Sequence, residues 1–404
     1  MIHNELLKQS DESINDYLIR LGDNQELYGL TWVQTADLLN KESGDEYSES
    51  RWRKKYSAYL EWKPVVLEKY TNNEVVDEIR DATIELKKER NKLQTEKIEY
   101  NKMIREQGRA DLLEEKIVEA VINRPTIHIP NIHIKKNNVK RDFLFPVCDL
   151  HDGVSFKLFG WEGELLNEYS PEILEQRMWK LLEEFVSIND KQKINHVTLP
   201  NLGDSIDGIL RMSQLMSLKM GVTDSAIHFA EFMSQWLNEL SKYCLVDYYS
   251  IFGNHDQLRL LSGKRDEFPH ENAQKWITKL ISANLKDNKN VSVTNCNEFM
   301  YLDILGTKTL AVHGENEKNL ENSIKDYSLT YSKPVHLLLS GHLHHSHEKT
   351  IGMNGVRDIE YVQSPSIIGI DDYSLKLKKT SNAGAKVMII EENKGRTLTY
   401  NIRL

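Results

Sequence analysis

Short apolar runs and longer amphipathic stretches alternate along the chain from residue 142 to its end. The runs at 143–148, 194–202 and 245–252 read as buried strands. Helical period marks 171–188, 224–243 and 271–283 as the helices between and after them. On 171–188 the apolar face is Ile173, Leu174, Met178, Leu181, Leu182, Phe185 and Val186, and Asp224 stands where it can cap the second helix. Shorter strands follow at 291–294, 299–304, 308–312, 335–339, 355–362 and 386–391. Helix-linked strands first and hairpin-like strands later predict an α/β domain built on a mixed sheet, or on two packed sheets flanked by helices.

Before residue 142 the period is helical throughout. Thr31-Trp32-Val33-Gln34 has the form of a capping box, and Val33, Ala36, Leu38 and Leu39 fit one face of the helix it opens. A polar break at 42–47 follows, and Ser48 or Ser50 can cap a second helix that begins Arg51-Trp52-Arg53-Lys54-Lys55-Tyr56. Two readings fit: a DNA-binding helix-turn-helix, or a small bundle with a solvated basic face. From 67 to 121 the chain reads as one long helix. Ile79, Leu86, Leu93 and Tyr100 recur every seven residues, with Val75, Ala82 and Met103 beside them, while Glu89 and Glu96 occupy inward slots and weaken the seam. This helix either pairs two copies of the chain or serves as a stalk. Pro125, Pro130 and the surrounding Asn and Lys residues mark an extended linker. The expected division is therefore 1–66 helical, 67–121 long helix, 122–141 linker and 142–404 α/β domain.

Composition narrows the class. With 404 residues, 40% hydrophobic and 28% charged, the chain can bury a real core. A formal net charge of −9 argues against coating nucleic acid by charge alone, though a local basic patch remains compatible with it. Cys148, Cys244 and Cys296 sit in apolar contexts and read as reduced core thiols of a cytoplasmic protein. The first residues lack a basic-then-apolar signal, and no apolar run is long enough to span a bilayer, so no membrane association is expected.

Five polar clusters follow the apolar runs: Asp149-Leu150-His151, Gly203-Asp204 with Asp207, Gly253-Asn254-His255-Asp256, His313-Gly314 and Gly341-His342-Leu343-His344. Residues i and i+2 on a strand end point to one side, so Asp149 with His151, and His342 with His344, converge. Open α/β sheets collect their sites at such strand ends. The donors are all oxygen and nitrogen, which suits manganese, iron, zinc or magnesium and disfavours a structural zinc cage. Seven groups exceed one tetrahedral ion. Two divalent ions about 3.5–4 Å apart, sharing one carboxylate, would use them all, and Asp204 is the natural bridge. Such a pair polarises a phosphoryl group and lowers the pKa of a shared water. His255, protonated, can serve the leaving oxygen, with Asp207 or Asp256 holding its ring. Arg259 is either a phosphate contact or a surface residue; His345 and His347 read as exposed neighbours or substrate contacts.

Taken together, Asp149-Leu150-His151, Gly203-Asp204-Ser205-Ile206-Asp207, Gly253-Asn254-His255-Asp256, His313-Gly314 and Gly341-His342-Leu343-His344 resemble the signature of the calcineurin-like metallophosphoesterase superfamily over residues 142–370. The resemblance implies a four-layer αββα sandwich. It also implies one metal on Asp149, His151, Asp204 and His344, and another on Asp204, Asn254, His313 and His342. By the same resemblance His255 handles the proton and Asp207 orients it. Asp256 after the motif histidine, and Gly208-Ile209 in place of Arg-Gly, are closer to SbcD-type DNA-repair exonucleases than to Ser/Thr phosphatases. Unlike SbcD-type chains, this one does not begin with the catalytic domain and carries no matching cap after residue 370. The arrangement is similar to phage-encoded metallophosphoesterases of the DNA-repair kind. The expectation is a manganese-dependent DNA phosphodiesterase of phage or prophage origin; the alternative is a phosphatase or phosphodiesterase for a small nucleotide or a phosphoprotein.

Overall fold

The computed structural model describes residues 6–70, 73–123, 126–135, 140–208, 217–258, 271–355 and 357–404. The chain divides into two compact units, residues 1–108 and 109–404.

In the first unit, α1 (Ile14–Asp23), α2 (Trp32–Ser43) and α3 (Glu49–Tyr70) enclose Tyr17, Leu18, Leu21, Ala36, Leu39 and Trp52. The expected capping box opens α2: the Gln34 N–H donates to Thr31 Oγ1 at 3.3 Å, and the Thr31 N–H donates to Gln34 Oε1 at 2.9 Å. The buried face of α2 differs from the expected one. Val33 points to solvent and Thr35 is buried instead, its hydroxyl donating to the Thr31 carbonyl at 3.0 Å. That local bond lets a β-branched polar residue take an interior position. Trp52 opens α3 from inside the core, donating from Nε1 to Asn40 Oδ1 at 2.8 Å. Arg51, Arg53, Lys54 and Lys55 around it are exposed. α3 reaches Tyr70, and the stretch expected to be a long helix is helical over α4, Asn73–Ile122.

The second unit is a four-layer α/β sandwich. Its six-stranded sheet has the order β13-β12-β1-β4-β5-β6. The strands are β1 (Arg141–Leu144), β4 (His196–Asn201), β5 (Leu245–Ser250), β6 (Val291–Asn295), β12 (Gly384–Glu391) and β13 (Gly395–Arg403). The run from β1 to β6 is parallel, and β12 and β13 are antiparallel additions. The five-stranded sheet is β10-β11-β9-β8-β7, made of β7 (Phe299–Ile304), β8 (Thr307–Val312), β9 (Leu337–Ser340), β10 (His347–Asn354) and β11 (Arg357–Gln363). A small hairpin, β2 (Phe156–Phe159) with β3 (Leu165–Tyr169), follows the first strand.

Strand alternation sorts the core into three seams. Phe143 and Ile389 face out towards α5 (Pro171–Gln192), α6 (Val222–Leu240) and α7 (Gln274–Asn284). Their neighbours Leu144 and Met388 face inward and meet Met300, Ala311, Leu337, Leu339 and Val362 of the other sheet. On the far side, Leu310, Val312, Leu338 and Tyr361 cover Leu320 and Ile324 of α8 (Leu320–Tyr331). Ser170 caps α5 and Pro171 occupies its first turn. Asp224 does not cap α6. Gly221 stands at that end, and Asp224 takes the Lys116 ammonium at 2.5 Å.

The expected linker is strapped down where it is described. Asn238 Nδ2 donates to the His128 carbonyl at 3.0 Å, and Asn290 Nδ2 to that of Ile132 at 2.7 Å. These amides satisfy a segment that has neither helix nor ladder of its own. Among the described residues, no helix is long and apolar enough to cross a membrane.

Candidate metal centre

Every predicted donor lies just beyond the carboxyl end of a parallel strand: Asp149 and His151 after β1, Asp204 and Asp207 after β4, Asn254 and His255 after β5, His313 after β8, His342 and His344 after β9. The loops turn abruptly. Asp149, His151, Asp204, His342 and His344 have positive φ of 52°, 47°, 54°, 67° and 54°. Left-handed backbone costs a non-glycine residue about 1–3 kcal/mol and gathers at functional sites.

Two glycines allow the loops to touch. A Cβ on Gly203 would come within 2.7 Å of the Gly253 nitrogen and 2.9 Å of His313 Nδ1; one on Gly253 would collide with the backbone and carboxylate of Asp204. Asp256 then locks the contact. Its carboxylate accepts backbone N–H bonds from Asp204 and Ser205 at 2.9 Å each, from Gly253 at 3.0 Å and from Ile206 at 3.3 Å. Of the two candidates for holding the His255 ring, Asp256 is thus occupied with the backbone. Asp207 does the holding, accepting from His255 Nδ1 at 2.5 Å.

The donors converge on Asp204. Its Oδ1 accepts the His255 N–H at 2.8 Å, while Oδ2 lies 3.1 Å from His313 Nε2 and 3.7 Å from His151 Nε2. Asn254 Oδ1 is 3.2 Å from His313 Nε2. On the other side, His344 Nε2 sits 3.5 Å from Asp149 Oδ1 and 3.4 Å from His151 Nε2. Three groups are close enough to hold an ion: Asp149, His151 and His344; His151, Asp204 and His255; Asp204, His313 and His342.

The far ring nitrogens decide whether these imidazoles suit a cation. His313 Nδ1 donates to the Leu202 carbonyl at 2.7 Å; His151 Nδ1 faces Asp207 Oδ1 at 3.3 Å, and His344 Nδ1 faces Asp371 Oδ1 at 3.3 Å. For His313 and His151 the partner can fix the proton on Nδ1 and turn Nε2 inward, which is how metal-binding histidines are oriented, while His344 Nδ1 lies within ion-pair reach of Asp371 without a hydrogen bond. The donor set therefore fits divalent cations.

Burial and neighbouring charge oppose each other at these groups. Burial opposes ionisation of Asp149, Asp204 and Asp207, yet the surrounding imidazoles hold all three carboxyls below the usual range. Burial likewise opposes charge on His344, and Asp149 and Asp371 still push it up to about 10. His255 is raised against its burial by Asp204 and Asp207. His342 goes the other way: burial, then the charge of His313, bring it down to about 4. Buried ionised carboxylates require positive charge beside them.

Two residues escaped the sequence reading. Asp371 backs His344, and Tyr373, on α9 (Asp372–Leu377), brings its hydroxyl to 3.2 Å from His342 Nε2. Asp371 follows the apolar run Ile367-Ile368-Gly369-Ile370, a strand-end signal of the same kind as the other clusters, whereas Tyr373 follows none. His345 bonds Gln363 Nε2 at 2.8 Å, and His347 lies against Tyr361, outside the donor groups. Arg259 and Ile209 lie outside the described residues.

Family models match in the N-terminal half: the YonJ N-terminal domain over residues 3–71 and the YonJ coiled-coil domain over 82–124. The SPbeta prophage-derived uncharacterized protein YonJ of Bacillus subtilis (strain 168) is 34% identical over 400 residues, spanning 98% of this chain and 97% of that one. The chain belongs to the YonJ family. Solved structures similar to this family member include a novel archaeal phosphodiesterase, with 12% identity and TM-score 0.32 over 65% of this chain and 99% of that one. Vps29 complexed with zinc from Entamoeba histolytica shows 11% identity and TM-score 0.30 over 65% and 98%. A metallophosphoesterase from Sphaerobacter thermophilus shows 12% and 0.30 over 66% and 89%. Scores this low carry no weight beside the layers and distances above.

Proposed function

We propose that residues 109–404 are a metal-dependent phosphodiesterase acting on DNA, an exonuclease-like enzyme of prophage type. One observation carries the hydrolase reading: seven oxygen and nitrogen donors from five strand ends meet around Asp204, with His151 and His313 held by their far nitrogens and His344 facing Asp371. Two divalent cations bound there, manganese being the first choice, would polarise a phosphoryl oxygen and lower the pKa of the attacking water. Asp149, His151, Asp204 and His344 would hold one; Asp204, Asn254, His313 and His342 the other. Asp204 can serve both because Oδ2 stands between His151 and His313. Asp204 and Asp207 raise the His255 pKa and Asp207 aims its ring, so a proton carried there could pass to the leaving oxygen.

The DNA reading is supported by the exposed cations Arg51, Arg53, Lys54 and Lys55 on α3 and by the prophage origin of the relative. One feature favours a small substrate instead. A cavity of about 170 Å³ beside Asn254 and His313 is lined by Glu298, Glu315 and Glu317, carboxylates that oppose a continuing phosphate backbone. The deciding assay offers the manganese-loaded protein labelled single- and double-stranded DNA beside p-nitrophenyl phosphate and its bis ester. Cleavage of DNA and of the bis ester is expected; rapid monoester hydrolysis with DNA intact would move the enzyme to the small-substrate class. Deleting residues 1–66 should reduce DNA binding and flatten its salt dependence.

A further inference from the structure

Ile79, Leu86, Leu93 and Tyr100 form a stripe along α4, and all four are exposed, by 55%, 72%, 65% and 61%. Spacing of seven keeps such a stripe on one side of a left-handed supercoil. A helix rises 1.5 Å per residue, so the stripe runs for roughly 32 Å. Midway along the stripe its two shoulders carry opposite charges. Three places after the stripe residues come Ala82, Glu89, Glu96 and Met103; four places after come Thr83, Arg90, Lys97 and Ile104.

We propose that this stripe is the interface of a homodimer in which two copies of α4 run parallel and in register. Symmetry selects the direction. In a parallel pair the two-fold axis runs along the helices and sets each shoulder against the opposite shoulder of the other copy. Glu89 then faces the partner's Arg90, and Glu96 faces the partner's Lys97. In an antiparallel pair the axis crosses the helices, and like shoulders meet, glutamate against glutamate. Like charges flanking a seam disfavour that pairing. Glu89 and Glu96, which weaken the stripe as a purely apolar seam, thus become its register marks. Within one chain Glu89 holds Lys92 at 2.7 Å and Arg90 meets Glu26. Both pairs are on the surface, where exchanging one ion-pair partner for another is nearly free.

The test uses the full chain carrying Ile79→Cys or Tyr100→Cys, oxidised and run without reductant. The native thiols give the baseline, since Cys148 and Cys244 are buried and Cys296 is half-buried. A parallel in-register pair cross-links at both positions. Cross-linking at one alone, or at neither, overturns the proposal, because a staggered or antiparallel pair can appose at most one of them with its own copy. By sedimentation the parent should have twice the mass of the chain; a monomer at tens of micromolar also overturns it. Glu89→Lys with Glu96→Lys should weaken association roughly tenfold, and adding Arg90→Glu with Lys97→Glu should restore it. Failure of that rescue overturns the register. None of these side chains is buried in the single chain, so loss of fold does not confuse the readout.

Discussion

Around α1–α3 the fully buried side chains are Tyr17, Leu18, Leu21, Ala36, Leu39 and Trp52, with Thr35 and the Trp52 indole satisfied by local partners. At the strand ends of the second unit the fully buried side chains are Asp149, Asp204, Asp256 and His313, whose partners come from far along the chain. The first region spends apolar surface to order three helices and leaves its cations outside. The second uses its large apolar seams to hold buried charge at the strand ends. Burying charge is costly without compensation, so a site of this kind needs a much larger sandwich behind it than a three-helix unit offers.

The contrast breaks first at Asp204. Asp204→Asn should remove both metals and reduce phosphodiester hydrolysis to background; elemental analysis that still finds two ions would remove Asp204 from the bridging position. His255→Ala should keep the metals and lose turnover by about 10²–10⁴-fold, measured with the bis ester. Trp52→Ala tests the other region. It should cost about 3–5 kcal/mol in the first unit, visible as an earlier unfolding step, while bis-ester hydrolysis stays unchanged. Asp371→Asn should weaken metal affinity by about 10–100-fold through the freed His344 ring, read by titration with a chelator. The smallest effect belongs to Tyr373→Phe. One hydrogen bond at His342 is worth about 1 kcal/mol, so turnover should change by less than roughly tenfold.

How far each part could be read in advance follows from where its information lies. The strands β1, β4, β5, β8 and β9 are short apolar runs whose end-loop residues follow closely, so strand and donors announce one another. The edge strand β10 is exposed along almost its whole length and has no alternation to read. The β2–β3 hairpin is likewise largely exposed. In α2 the predicted and actual faces differ because Thr35 satisfies its own hydroxyl, something no hydropathy pattern encodes. Asp371 caps, and Tyr373 lies on, a six-residue helix too short to show a period.

Local chemistry was enough to settle the capping of α2, the helical period of α4 and the order of the polar clusters, because each depends on neighbours a few residues apart. Folding in three dimensions decided the rest. It chose which carboxylate braces backbone and which holds a ring: Asp256 and Asp207 stand on turns of similar sequence character, but only Asp256 faces the amides of two adjoining loops. It also brought Asp371 behind His344. Those assignments depend on strands meeting across more than fifty residues of chain, and contact at that range is set by packing of the two sheets, not by any pattern a short window contains.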